Sequence, residues 1–245
     1  MSELKFSDLV EPVAVDQKTA LRITVLGGGS FGTAMANTAV RNGCDTMIWI
    51  RDEAVAADIN ATHVNKRYLP DFKLEDGLRA VSNIEEAVRD RDIILVAIPS
   101  HSFRDVLKQI KPFITSQAVV SLTKGIEANT FSFMSDIIRS ELPEVPYGVL
   151  SGPNLAKEIV AGQPAGTVIA SQSDLVRYAV QQALHSALFR VFASDDVHGV
   201  ELGGALKNIY AVAMGMAAAY KVGENTKSMI LTRALAEMSR FAVKL

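Results

Sequence analysis

At 245 residues, 49% of them hydrophobic, the chain can bury a large core and has room for one or two domains. A net charge of −2, from 25 basic and 27 acidic side chains without a polybasic run, offers no field for nucleic acid, and none is expected as a partner. The single cysteine, Cys44, excludes an intramolecular disulfide and a Cys-based metal cluster, and the four histidines form no H-E-x-x-H pattern, so no metal is expected and a reducing cytoplasm fits.

Residues 1–20 lack the basic and apolar regions of a signal peptide and read as a loose N-terminal extension. Residues 23–26, Ile-Thr-Val-Leu, predict a strand that runs straight into GGGSFG and a helix over 33–40. Gly27, Gly29 and Gly32 have the spacing G-x-G-x-x-G, set where a strand turns into a helix. That context permits a tight turn, close approach of backbone to a pyrophosphate, and an anion resting on the helix N-terminus. The next strand, 46–50, ends about 20 residues beyond the fingerprint, where an acid would hold the ribose of NAD. Arg51 stands there instead. Its guanidinium suits a 2′-phosphate, so NADP is the first choice of cofactor, with NAD kept open by Asp52 and Glu53 and an exposed loop charge as the plain alternative. Asn60-Ala61-Thr62 is a glycosylation sequon that no secretory signal supports.

Apolar runs then alternate with amphipathic segments, which predicts parallel βαβ units. A strand over 93–98 is closed by Pro99-Ser100-His101 and followed by a helix over 103–110. A strand over 118–122 is closed by Thr123-Lys124-Gly125 and followed by a helix over 131–142 that Pro143 stops. Val149-Leu150 leads into Ser151-Gly152-Pro153-Asn154 and another helix, and 167–170, a helix over 174–186 and 189–193 extend the sheet. The polar closures sit at the carboxyl ends of strands, where open parallel sheets bind ligands. Ser30, Phe31, Ser100, His101, Lys124, Gly152 and Asn154 are thereby candidates to face one cofactor. Lys124 reads as an active-site lysine or a solvated loop lysine, Asn154 as a ligand contact or a helix N-cap, and His101 as a polar loop residue.

After Asp195-Asp196, a helix cap, the pattern turns to helix only, over 197–222 and again from 226, with Gly223-Glu224-Asn225 as the turn. The longest apolar stretch, 211–220, is short of the roughly 20 residues a membrane helix needs, so no membrane insertion is expected. Within the first helix Lys207 leans back over Gly203 and Gly204, each of which costs about 1 kcal/mol relative to alanine. The bare backbone leaves space for a small substrate, or else admits close packing of another element while the lysine reaches solvent. A secondary alcohol loses hydride only as its O–H proton leaves, and a partly buried lysine can accept that proton.

VLGGGSFGTAMA, IPSH, SLTKGIE, SGPNLAKE and ELGGALKN, in this order, resemble the bacterial NAD(P)-dependent sn-glycerol-3-phosphate dehydrogenases from about Leu21 onward. The resemblance implies a Rossmann-type doubly wound parallel α/β sheet over residues 21–194, and the start of an all-α substrate domain over 195–245. It implies interconversion of sn-glycerol 3-phosphate and dihydroxyacetone phosphate for phospholipid synthesis, with Lys207 as proton acceptor and donor. Lys124, Gly152 and Asn154 would line the substrate, Asn208 would support it, and Ser30, Phe31, Arg51, Lys124 and Ala156 would contact the dinucleotide. Phe31 stands where the family often has tryptophan, and Asn154 where serine or threonine is common. The partners expected are a small phosphorylated substrate and a second copy of the chain. The family's phosphate-gripping arginine–asparagine pair, and an aspartate near the lysine, are expected beyond Leu245, so this stretch should bind dinucleotide and hold substrate weakly. The alternatives are an NADP-binding sensor without turnover, or a related two-domain dehydrogenase acting on another small hydroxy substrate.

Overall fold

The computed structural model describes residues 20–244. All but the last residue of the expected N-terminal extension lies outside the described residues. Strand β1 (Arg22–Leu26) is buried on both faces, as a central parallel strand of β-branched residues requires. Around it stand β2 (Asp45–Trp49), β3 (Arg79–Val81), β4 (Ile93–Val96), β5 (Ala118–Ser121), β6 (Tyr147–Ser151), β7 (Ala165–Ala170) and β8 (Phe189–Ser194), in the order β3-β2-β1-β4-β5-β6-β7-β8. Strand order reverses between β1 and β4, so their carboxyl ends open a crevice at the switch point.

Helices cover both faces. Beneath one lie α1 (Ser30–Arg41), α2 (Glu53–Thr62), α6 (Ala156–Val160) and α7 (Asp174–Leu184), around Ala34, Met35, Ile59, Val176 and Val180. On the other, α3 (Ile84–Val88), α4 (Ser100–Ile110) and α5 (Met134–Glu141) enclose Phe103, Leu107, Met134 and Ile138.

The expectation of parallel units throughout fails at one place, because β6 and β7 pair antiparallel. Between them α6 has only five residues, about 7.5 Å of rise, too short to carry the chain back along the roughly 17 Å of β6. β7 therefore starts at the edge where β6 ends, and Gly166 and Thr167 join that edge. The strand expected over 93–98 ends at Val96, and α4 begins at Ser100, three residues earlier than periodicity indicates, with Pro99 as N-cap.

Helices α8 (Val197–Ala219) and α9 (Glu224–Lys244) follow. Asp196 caps α8 by accepting from Gly199 N–H at 2.8 Å. Val197 packs with Val149 and Ala170, so the first turns of α8 dock on the end of the sheet. Beyond them α8 and α9 pack on each other, with Ala217 and Ala234 buried, while Ile209 and Val212 are exposed. No described helix is long and apolar enough to cross a membrane.

Candidate active site

The three fingerprint glycines have different jobs. At Gly27 φ is +122°, and a Cβ there would stand 2.3 Å from the Ala97 carbonyl oxygen, so the turn out of β1 tolerates no side chain. A Cβ on Gly32 would lie 2.1 Å from the Gly27 carbonyl oxygen, so α1 sits against the turn through bare backbone. A Cβ on Gly29 would meet nothing within 4 Å. That open position, at the N-cap of α1, fits a pyrophosphate approaching the free N–H groups of the helix.

Beside the loop, a cleft of about 240 Å³ is lined by Phe31, Ile98, Pro99, Thr123, Lys124 and Asn154, among others. Lys124 Nζ donates to the Gly152 carbonyl oxygen at 3.1 Å and stands 5.6 Å from the centre of the Phe31 ring, a cation–π contact. Burial, and then the neighbouring Lys207, lower the pKa of Lys124 to about 8. The Thr123 hydroxyl donates to the Ile98 carbonyl oxygen at 2.8 Å and so holds the segment after β4 against the Lys124 loop, a role that its place in SLTKGIE does not reveal.

Asn154 is not a helix cap. Its Nδ2 donates to the Gly166 carbonyl oxygen at 2.8 Å, which orients the amide and leaves Oδ1 buried without a partner among the described residues. Gly152 is pressed between Asn154 and Thr167, where a Cβ would lie 2.9 Å from the Thr167 Cα.

The two glycines beneath Lys207 divide the two readings between them. A Cβ on Gly204 would meet Ser151 Oγ at 2.5 Å and Lys124 Cγ at 3.9 Å, so this glycine serves close packing of α8 on β6. Gly203 faces open space. Lys207, one turn further along, is half-buried, and Asn208 is exposed.

The structure thus gathers Phe31, Lys124 and Asn154 around one cleft, with the Gly152 carbonyl behind Lys124, Gly204 against the Lys124 side chain, and Lys207 outside the cleft wall. Ser30 opens α1, and Ala156 opens α6 and packs on the core. Arg51 is exposed at the end of β2 and joins none of the ion pairs among the described residues. Asp52 accepts from the N–H groups of Ala54 and Val55 at 3.0 and 3.3 Å, so its carboxylate is occupied in capping α2. His101 is exposed in the first turn of α4. A larger cavity, about 520 Å³ among α5, α8 and α9, has neither lysine in its wall.

The family model for the NAD-dependent glycerol-3-phosphate dehydrogenase N-terminus matches residues 22–176, and the model for the C-terminus matches residues 196–245. The chain belongs to this family. Within the glycerol-3-phosphate dehydrogenases, it is 86% identical over 244 residues to the NAD(P)+ enzyme of Acinetobacter baumannii strain SDF, covering all of this chain and 68% of that one. Among solved structures, glycerol-3-phosphate dehydrogenase from Coxiella burnetii superimposes with a TM-score of 0.85 at 33% identity, covering 91% of this chain and 69% of that one. The Saccharomyces cerevisiae enzyme gives a TM-score of 0.82 at 28% identity, covering 91% and 70%.

Proposed function

We propose that this chain interconverts sn-glycerol 3-phosphate and dihydroxyacetone phosphate, with Lys207 exchanging the proton at the C2 oxygen. The observation that carries the reading is the packing of the Lys207 helix, through Gly204, against Ser151 and the Lys124 side chain, beside an open glycine-rich turn at the carboxyl edge of the sheet. In this reading residues 21–194 bind the dinucleotide, and the helices from residue 195 bring the proton-transferring lysine. The nicotinamide, when bound, supplies the hydride acceptor for the alcohol or the donor for the ketone.

The chain's own residues do the rest. Lys207 takes the hydroxyl proton as the alcohol is oxidised and returns it in the reverse direction. Lys124, held on the Gly152 carbonyl, puts a cation beside a phosphorylated, polarised substrate. Gly152 and Asn154 shape the wall of the cleft, and Asn208 supports the substrate from α8. Ser30, Phe31, Arg51, Lys124 and Ala156 contact the dinucleotide. NADP is the preferred cofactor, because the Arg51 guanidinium is exposed and the carboxylate next to it is taken by a helix cap, with NAD as the alternative. The product would supply the glycerol 3-phosphate backbone of phospholipids in the cytoplasm, and the working form is a homodimer.

The test is oxidation of NADPH or NADH on addition of dihydroxyacetone phosphate, with glycerol 3-phosphate measured as product. Dihydroxyacetone phosphate-dependent loss of reduced cofactor is expected. Tight dinucleotide binding without turnover would overturn the reading in favour of a sensor, and turnover only with a different ketone would reassign the substrate.

A further inference from the structure

Two motifs that carry the lysines each contain an acid left without a role in the reaction, Glu127 in SLTKGIE and Glu201 in ELGGALKN. Both acids lead to α5. Glu201 lies six residues before Lys207 and is 6% exposed, in a stretch otherwise of aliphatic residues and glycines. It accepts from Ser135 N–H at 3.0 Å and from the Ser135 hydroxyl. Ser135 is in the first turn of α5, where backbone N–H groups lack helical partners and the dipole favours a negative charge. A buried carboxylate is costly unless hydrogen-bonded, and a hydrophobic side chain would fill the same volume, so this acid makes a directional contact that packing does not require.

The other end of α5 is fastened through α4. Arg104 donates to both oxygens of Glu127 at 2.8 Å each, three residues after Lys124, and to Glu141, the last residue of α5, at 2.5 Å. The fork is charge-assisted and partly buried, the kind of ion pair that holds a geometry. The Thr130 hydroxyl also donates to Glu127, and Ile126 bridges to Phe133 just before α5. Between these fastenings α5 is eight residues, about 12 Å, anchored in the core by Met134, Ile137 and Ile138.

We propose that α5 is the strut that sets the separation of Lys124 and Lys207, with Glu201 and Arg104 as positioning residues that fasten each lysine-bearing segment to it. The inference rests on the assignment of both lysines to the reaction. Neither positioning residue lines the cleft, so their effect passes through the lysines.

The test compares Glu201→Gln, Ser135→Ala and the double variant, with dinucleotide affinity by calorimetry, steady-state kinetics with dihydroxyacetone phosphate, and NMR titration of Lys124. Glu201→Gln should leave cofactor affinity within about twofold and lower kcat by about tenfold or more, with a smaller change in KM, since small misplacements of catalytic groups cost large factors. Burial, the main cause of the lowered Lys124 pKa, would remain, and the part due to Lys207 should fall away, so Lys124 should titrate somewhat higher as Lys207 moves off. Ser135→Ala should shift the same readouts in the same direction by less, and the double variant should be no worse than Glu201→Gln alone, because Ser135→Ala removes only the hydroxyl bond to the carboxylate that Glu201→Gln already changes. If Glu201→Gln does not fold, Ser135→Ala alone carries the test. Lower thermal stability with unchanged kcat and unchanged Lys124 titration would overturn the proposal, as would fully additive losses. Should the parent protein show no turnover, the proposed function fails, and the Lys124 titration still judges the strut.

Discussion

Gly204 of α8 stands so close to Ser151 of β6 that a Cβ on it would lie 2.5 Å from the serine oxygen, while a Cβ on the neighbouring Gly203 would meet nothing within 4 Å. The pair therefore responds in opposite directions to alanine. Gly203→Ala should stabilise the protein by up to about 1 kcal/mol through helix propensity. Gly204→Ala should destabilise it by roughly 1–3 kcal/mol despite the same gain, because the helix must move off the strand. Ser151→Ala should recover most of the Gly204→Ala loss. Urea unfolding of Gly203→Ala, Gly204→Ala and the Gly204→Ala/Ser151→Ala double variant checks this, and equal effects at positions 203 and 204 would contradict it.

The fingerprint glycines separate fold from binding. Gly27→Ala should prevent normal folding, given its positive φ and the Ala97 carbonyl 2.3 Å from the new Cβ. Gly29→Ala should fold with near-normal thermal stability and lose dinucleotide affinity by about tenfold, a cost of about 1.4 kcal/mol. Calorimetric titration together with a melting curve distinguishes the two. An alanine at 29 that leaves affinity untouched would remove the pyrophosphate from this turn.

Arg51→Ala should weaken NADP binding by roughly ten- to a hundredfold while changing NAD little, since a hydrogen bond to a charged group contributes about 1.5–3 kcal/mol. Added salt should weaken NADP binding in the parent and much less in the variant. Equal losses for both cofactors would mean that Arg51 shapes the loop rather than reading a phosphate.

Lys124 gives a pH dependence with a definite sign. Its pKa is lowered from 10.5 to about 8 by burial and by Lys207. Below about pH 8 the lysine is charged in both folded and unfolded states, and the folded state bears the full penalty. Between about 8 and 10.5 the unfolded state binds more protons, so stability rises with pH across that window. Lys124→Met should be more stable than the parent near pH 7, and the difference should shrink by about pH 10. A difference that stays constant or widens would show that the ammonium is not penalised where it sits.

Much of this architecture is legible in the residues, and the remainder depends on distance along the chain. β1, β4 and β5 are continuous apolar runs, and their polar closures locate the edge where Phe31, Lys124 and Asn154 meet. The three-residue edge strand β3 has no such run. The direction of β7 follows from the length of α6, which Gly162 and Pro164 cut short but apolar periodicity does not measure. Which glycine packs and which leaves space cannot be read from GGALKN alone, because the answer is Ser151, 53 positions away in sequence. Glu201 carries a local signal, an acid in an apolar helical stretch, yet its partner lies 66 residues earlier. Asp52 shows the reverse case, where an acid suited to a ribose is absorbed by the nearest helix end.

Proton transfer by Lys207 is tested by Lys207→Ala, assayed in both directions beside a calorimetric measurement of dinucleotide affinity. Loss of a general acid–base group should lower kcat by at least about a hundredfold, far more than it raises KM, with dinucleotide affinity unchanged. A folded, cofactor-binding Lys207→Ala variant with near-parental kcat would mean that another group moves the proton.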